Sequence, residues 1–185
     1  MTGIEAVAVA LALAMVFCNI REIHWGWPLA IASSLLYFVI FRESKLYGEA
    51  WLQVFFAVVA SWGWFQWLRG HRADGSALRV ARLSRRGLAF ALLASALLWP
   101  ATALLLKNVT DTDVPWWDAF PTAISVVGQF LLARKFIENW VAWMAVNTVA
   151  VGLFAYKGLW LTVGLYAVFI VLSIAGWRVW KKRLP

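Results

Sequence analysis

The chain has 185 residues, of which 63% are hydrophobic and 14% charged, and it carries a formal net charge of +8. A soluble domain carries about 25% charged residues, and a soluble chain this small cannot cover so much apolar surface. The composition therefore excludes an ordinary soluble domain. It predicts an all-α membrane protein, a bundle of about seven transmembrane helices with its outer face in the lipid bilayer.

A span needs roughly 20 apolar residues. In chain order the candidates are 3–20, 26–41, 48–68, 87–106, 118–133, 139–156 and 158–178. Polar punctuation separates them at Arg21-Glu22, Arg42-Glu43-Ser44-Lys45, the 69–87 loop, Lys107 to Pro115, Arg134-Lys135 and Lys157-Gly158. The first run, Ile4 to Ile20, lacks the basic start of a signal peptide and reads as a retained helix. The single cysteine, Cys18, lies in it and reads as a small buried hydrophobe.

Charge orients the spans. Arg69, Arg72, Arg79, Arg82, Arg85 and Arg86 face one acid, Asp74, in the long loop, and the tail carries Arg178, Lys181, Lys182 and Arg183. Both segments are expected in the cytoplasm by the positive-inside rule. Asp111, Asp113 and Asp118 against Lys107 put the 107–118 segment outside, and the amino terminus, with Glu5, lies outside too. Arg42 and Lys45 then fall on the outer side, against the rule. Because the basic residues flank apolar runs, the net charge reads as topology, and no nucleic-acid partner is expected.

The chain also resembles itself. A shift of 113 residues places Arg21 on Arg134, Trp27 on Trp140, Phe41 on Phe154, Leu52 on Leu165 and Phe56 on Phe169. It also places Gly63-Trp64-x-x-Trp67 on Gly176-Trp177-x-x-Trp180. This predicts a three-helix repeat over 1–68, a basic cytoplasmic loop and linker helix over 69–106, and a second three-helix repeat with a basic tail over 107–185. Each half has an odd number of spans, so the extra fourth span restores orientation and makes the repeats parallel. That is the arrangement of SWEET-like carriers, whose substrate site sits near the midplane between the halves.

Polar residues inside spans are costly and so mark candidate sites. Trp140, Trp143 and Asn147 are spaced i, i+3, i+7, one helical face. Two indoles and a carboxamide can hold a flat heteroaromatic by stacking, cation–π attraction and hydrogen bonds. They can equally be interfacial tryptophans and a helix-packing asparagine. Asp118, Thr122, Ser125 and Gln129 form a second stripe, suited to pore lining or to bonds between helices, and Asp118 can also cap its helix. Gln53 and Trp64 share a face of the third span, whereas Trp62 points elsewhere. Ser33 and Ser34, which the shift places on Val146 and Asn147, suit close helix packing, and His24 and His71 read as solvated loop residues. There is no GxSxG, HExxH, P-loop or metal-ligand cluster, so no enzyme, metal or cofactor is expected.

At Trp140-x-x-Trp143-x-x-x-Asn147 the chain resembles the Pnu family of bacterial vitamin transporters, best known for nicotinamide riboside. Lys45-Leu46-Tyr47-Gly48-Glu49, Trp62-Gly63-Trp64-Phe65-Gln66-Trp67, Trp117-Asp118-Ala119-Phe120 and Ala133-Arg134-Lys135-Phe136-Ile137-Glu138-Asn139-Trp140 carry the same resemblance. It spans about Asn19 to Trp180. It implies a SWEET-like facilitator in the bacterial inner membrane, often a homotrimer. Its substrate would equilibrate across the membrane and be trapped by a cytoplasmic kinase. It assigns Trp140, Trp143 and Asn147 to substrate binding, with Gln53 and Gln129 beside them. Another vitamin such as thiamine would suit the same tryptophans. A non-transporting membrane subunit using the tryptophan faces for protein contacts is a further reading, as is a small lipid-modifying enzyme, for which the chain lacks a catalytic set.

Overall fold

A computed structural model of the chain describes residues 3–43, 47–72, 75–110, 112–158 and 160–184. Ser44, Lys45, Leu46, Asp74 and Asp111, named above, lie outside the described residues. Seven α-helices account for the regular structure, and the described residues form no strand. Two compact units divide the chain, Met1–Arg79 and Val80–Pro185. The first holds α1 (Gly3–Arg21), α2 (Gly26–Glu43) and α3 (Tyr47–Arg69). The second holds α4 (Arg85–Val109), α5 (Pro115–Ala133), α6 (Asn139–Tyr156) and α7 (Trp160–Lys181). In each unit, helices adjacent in sequence pack on one another.

The helices stand where the apolar runs predict them and most extend further; α6 matches its run, and α7 starts at Trp160 and runs on to Lys181. α4 begins at Arg85 because the Ser84 hydroxyl accepts from the Gly87 N–H at 3.1 Å, and it continues through Lys107 to Val109. α5 begins at Pro115, whose missing N–H costs nothing in a first turn. Hydropathy marks where side chains leave the apolar layer, whereas a helix ends where its backbone bonding ends. Among the described residues, α4 and Thr162–Lys181 of α7 are long and apolar enough to cross a membrane by length and composition. Ala6–Arg21 and Gly26–Val39 are shorter apolar helices. The α4 helix, expected to be a linker, packs along α5, and among its side chains Ala103 alone is buried. Its exposed leucines form the kind of face that lipid would cover.

The 113-residue shift also relates backbone details of the two units. The α1–α2 turn has Glu22 at φ 57°, and the α5–α6 turn has Lys135 at φ 55°. In the first turn Glu22 N–H donates to Asn19 O, Ile23 to Cys18 O, Gly26 to Ile23 O and Trp27 to His24 O. In the second, Lys135 donates to Leu132 O, Phe136 to Leu131 O, Asn139 to Phe136 O and Trp140 to Ile137 O. Every one of these bonds maps onto its counterpart under the same shift.

The packing recurs as well. Trp27 meets Trp67 edge-on, with centroids 5.5 Å apart and planes at 85°. Trp140 meets Trp180 at 5.5 Å and 88°. Gly63 lies against the Trp27 ring and Gly176 against the Trp140 ring, and a Cβ at Gly176 would stand 2.6 Å from Trp140 Cε2. The glycine lets each buried indole lie directly on the neighbouring helix backbone. The paired glycine–tryptophan signature is thus a packing wedge at the end of each three-helix set.

The basic loop is partly anchored. Arg72 N–H donates to Ser76 O and its guanidinium to Arg79 O, at 2.9 and 2.8 Å. In the second unit Ala81 N–H donates to Lys135 O at 3.0 Å, and Ile137 N–H donates to Ala81 O at 2.9 Å. Leu83 N–H donates to the Glu138 carboxylate at 3.1 Å, and Val80 is buried. This strap is tied to the turn that launches α6.

Candidate functional site

The second unit collects six of the eight predicted site residues: Asp118, Thr122 and Gln129 on α5, and Trp140, Trp143 and Asn147 on α6. Gln53 and Trp64 stand on α3 of the first unit. Hydrogen bonding sorts these side chains. Asp118 accepts from the Thr112 hydroxyl, tying the start of α5 to the chain before it. The Thr122 hydroxyl donates to the Asp118 carbonyl at 3.1 Å, within its own helix. Trp64 spends its indole N–H on His24 Nδ1 at 3.4 Å, so His24, expected to be solvated, has a partner inside the first unit.

Gln129 differs from these. It is only 9% exposed, yet its side chain makes no hydrogen bond among the described residues, and its amide is not among the fully buried atoms that lack a partner. Its carboxamide is thus unbonded by the protein but still accessible. Half-buried Gln53 likewise bonds to no described side chain.

On α6 the three motif residues occupy different surroundings. Trp140, 2% exposed, is the wedge between Gly176 and Trp180, and its buried Nε1 has no partner among the described residues. Trp27, its counterpart under the shift, is buried and unbonded at Nε1 in the same way. Trp143 lies over Gly128 of α5 and remains half-buried, with ring area free. Asn147 is buried and donates from Nδ2 to the Ser173 hydroxyl of α7 at 3.4 Å. This unit thus holds a half-buried indole at Trp143, a carboxamide at Gln129 that no described residue bonds, and an Asn147 oxygen without a described donor. Under the shift, Trp143 and Asn147 fall on Ala30 and Ser34, so the first unit keeps the wedge but not this chemistry.

Sequence reasoning passed over two features. Ser173 is a lone hydroxyl in an apolar run; its mapping onto Ala60 is the signal that could have marked it as an addition to the scaffold. Trp99, Trp116, Trp117, Phe120 and Val149 line an open cavity of about 400 Å³ at the α4–α5–α6 edge. There the Trp99 N–H is held by the Trp116 carbonyl at 2.8 Å, and its ring meets Phe120 edge-on at 5.5 Å. Beside this edge, exposed Asp113 pairs with Lys157 at 2.9 Å. The pair holds the Asp113 carboxyl below its ordinary value and the Lys157 ammonium above its own.

Known proteins give the frame for this site. The riboflavin/roseoflavin transporter RibM of Streptomyces davaonensis is 33% identical over 94% of this chain and 82% of its own length. The nicotinamide riboside transporter PnuC of Escherichia coli K12 is 24% identical over 97% of this chain and 85% of its own. In fold the chain is similar to a crystal structure of a vitamin B3 transporter PnuC, with a TM-score of 0.77 and 21% identity, covering 97% of this chain and 80% of the other. The family model described as nicotinamide mononucleotide transporter matches residues 2–182. Matched along nearly its whole length, the chain belongs to the nicotinamide mononucleotide transporter family, whose members named here are vitamin transporters.

Proposed function

We propose that this protein is a multi-pass inner-membrane carrier for a vitamin built from a flat heteroaromatic ring joined to a polyol. The observation that carries the reading is the Gln129 carboxamide, which no described residue bonds, in the same helical unit as half-buried Trp143 and the unbonded oxygen of Asn147. Polar side chains within an apolar span mark a candidate site. Trp143, Asn147 and Gln129 are assigned to cargo contact and Trp140 to holding α6 against α7. Asp118 and Thr122 line the approach at the start of α5. Nicotinamide riboside fits this set, as the sequence resemblance implies. Riboflavin fits it too, and the higher identity to a riboflavin transporter favours it.

Transport is uniport by facilitated diffusion. The chain carries no nucleotide motif, and no acid or base stands deep within its apolar runs to relay a proton. Trapping by a cytoplasmic kinase supplies direction, because a phosphate charge is costly at the bilayer centre. Two parallel SWEET-like repeats, an outer amino terminus, a cytoplasmic carboxyl terminus and a homotrimer complete the proposal. The test titrates purified protein with riboflavin, nicotinamide riboside and thiamine by tryptophan fluorescence. It then follows the ligand that binds into liposomes holding only this protein. Equilibration without accumulation is expected. Accumulation driven by an imposed proton or sodium gradient, with the potential clamped near zero, would sink the uniport mechanism, and absence of binding by all three would sink the assignment.

A further inference from the structure

The Ser173 hydroxyl has one proton and spends it on its own helix, donating to Phe169 O at 2.8 Å. Only lone pairs remain for Asn147, 3.4 Å away. The contact therefore works in one sense: Nδ2 of Asn147 donates and Ser173 accepts. This orients the carboxamide by chemistry. With Nδ2 turned to α7, Oδ1 is directed elsewhere, and no described residue donates to it. Both side chains are buried, at 6% and 3% exposure, so water competes poorly for the contact.

The pair is also absent from the other unit. The 113-residue shift that reproduces the turns and the wedge places Asn147 on Ser34 and Ser173 on Ala60, which is itself buried. The scaffold is thus built once without this bond, so packing alone does not require it.

We infer that Ser173 is a positioning residue for specificity: it locks Asn147 so that the site presents an acceptor oxygen and selects cargo offering an N–H or O–H at that point. The inference rests on the proposed role of Asn147 in cargo binding. Cargo whose matching atom is itself an acceptor would meet Oδ1 with like partial charge and be rejected.

The experiment uses the full chain in detergent, with whichever of riboflavin and nicotinamide riboside binds the wild type. Ser173→Ala is expected to weaken binding about fivefold to twentyfold, the order of one hydrogen bond's worth of orientation, with a folded protein whose thermal midpoint falls modestly because the buried Asn147 amide loses its partner. Ser173→Thr keeps the hydroxyl and its backbone bond and is expected to bind within about threefold of wild type. In an Asn147→Leu background, Ser173→Ala should cause no further loss, because its effect passes through Asn147. Asn147→Asp should bind better than Asn147→Leu, since an aspartate offers an acceptor to cargo in either protonation state. Equal losses from Ser173→Ala in both backgrounds would show a packing role and overturn the inference, as would Asn147→Asp binding no better than Asn147→Leu. A wild type that binds neither ligand would instead overturn the functional reading on which it rests.

Discussion

Replacing Gly176 by alanine puts a methyl group where the Trp140 indole already lies. The new Cβ would stand 2.6 Å from Cε2, well inside the roughly 3.5–4.0 Å of a favourable carbon contact. The ring has nowhere to retreat. It is 2% exposed and meets the fully buried Trp180 edge-on at 5.5 Å. Overpacking a well-filled site costs about 1–3 kcal/mol, and disturbing the edge-on aromatic pair adds about 0.5–1.5 kcal/mol. Against this, alanine gains up to about 1 kcal/mol over glycine as a helix former. The net expectation is a destabilisation of about 2 kcal/mol, read as a lower midpoint in reversible SDS unfolding. Gly164, on the same helix with nothing within 4 Å of its Cβ position, supplies the control. Gly164→Ala should be neutral or stabilising. Gly63→Ala in the first unit should behave like Gly176→Ala, because Gly63 lies against Trp27 in the same way. A Gly176→Ala protein as stable as the Gly164→Ala protein would refute the wedge.

Gln129→Leu should weaken cargo binding while leaving the fold about as stable, since its amide makes no hydrogen bond to a described residue; parallel titration and unfolding check both halves. Trp143→Ala should cost about 1–3 kcal/mol of binding if its ring stacks on cargo, by analogy with base–aromatic stacking, and unchanged affinity would return it to packing. The Asp113–Lys157 pair should make a small, salt-sensitive contribution. With the carboxyl lowered and the ammonium raised, that contribution is present between about pH 5 and 9. It fades as acid protonates Asp113 and as strong alkali deprotonates Lys157. Unfolding midpoints of wild type and Asp113→Asn should therefore differ by a constant amount in that window and converge outside it. A reporter fused after the carboxyl terminus should behave as cytoplasmic, and a periplasmic signal would reverse the proposed orientation.

The sequence by itself determined the number of helices and their approximate extents, because apolar length and polar punctuation are properties of neighbouring residues. It also held the 113-residue correspondence, visible as Gly63-Trp64-x-x-Trp67 against Gly176-Trp177-x-x-Trp180. What it could not separate were the jobs of chemically similar residues on one face. Trp140 and Trp143 look alike at helical spacing, yet one is wedged against Gly176 and the other keeps ring area free. Thr122 and Gln129 share a stripe, but one hydroxyl closes on its own helix and one carboxamide stays unbonded. The tie between Ala81 and the α5–α6 turn, and the bond from Asn147 to Ser173, join residues far apart in the chain. Periodicity records only which way a side chain leaves its own helix. Whether it then meets a glycine, a hydroxyl or open space depends on the neighbouring helix, so those distinctions exist only in the packed structure.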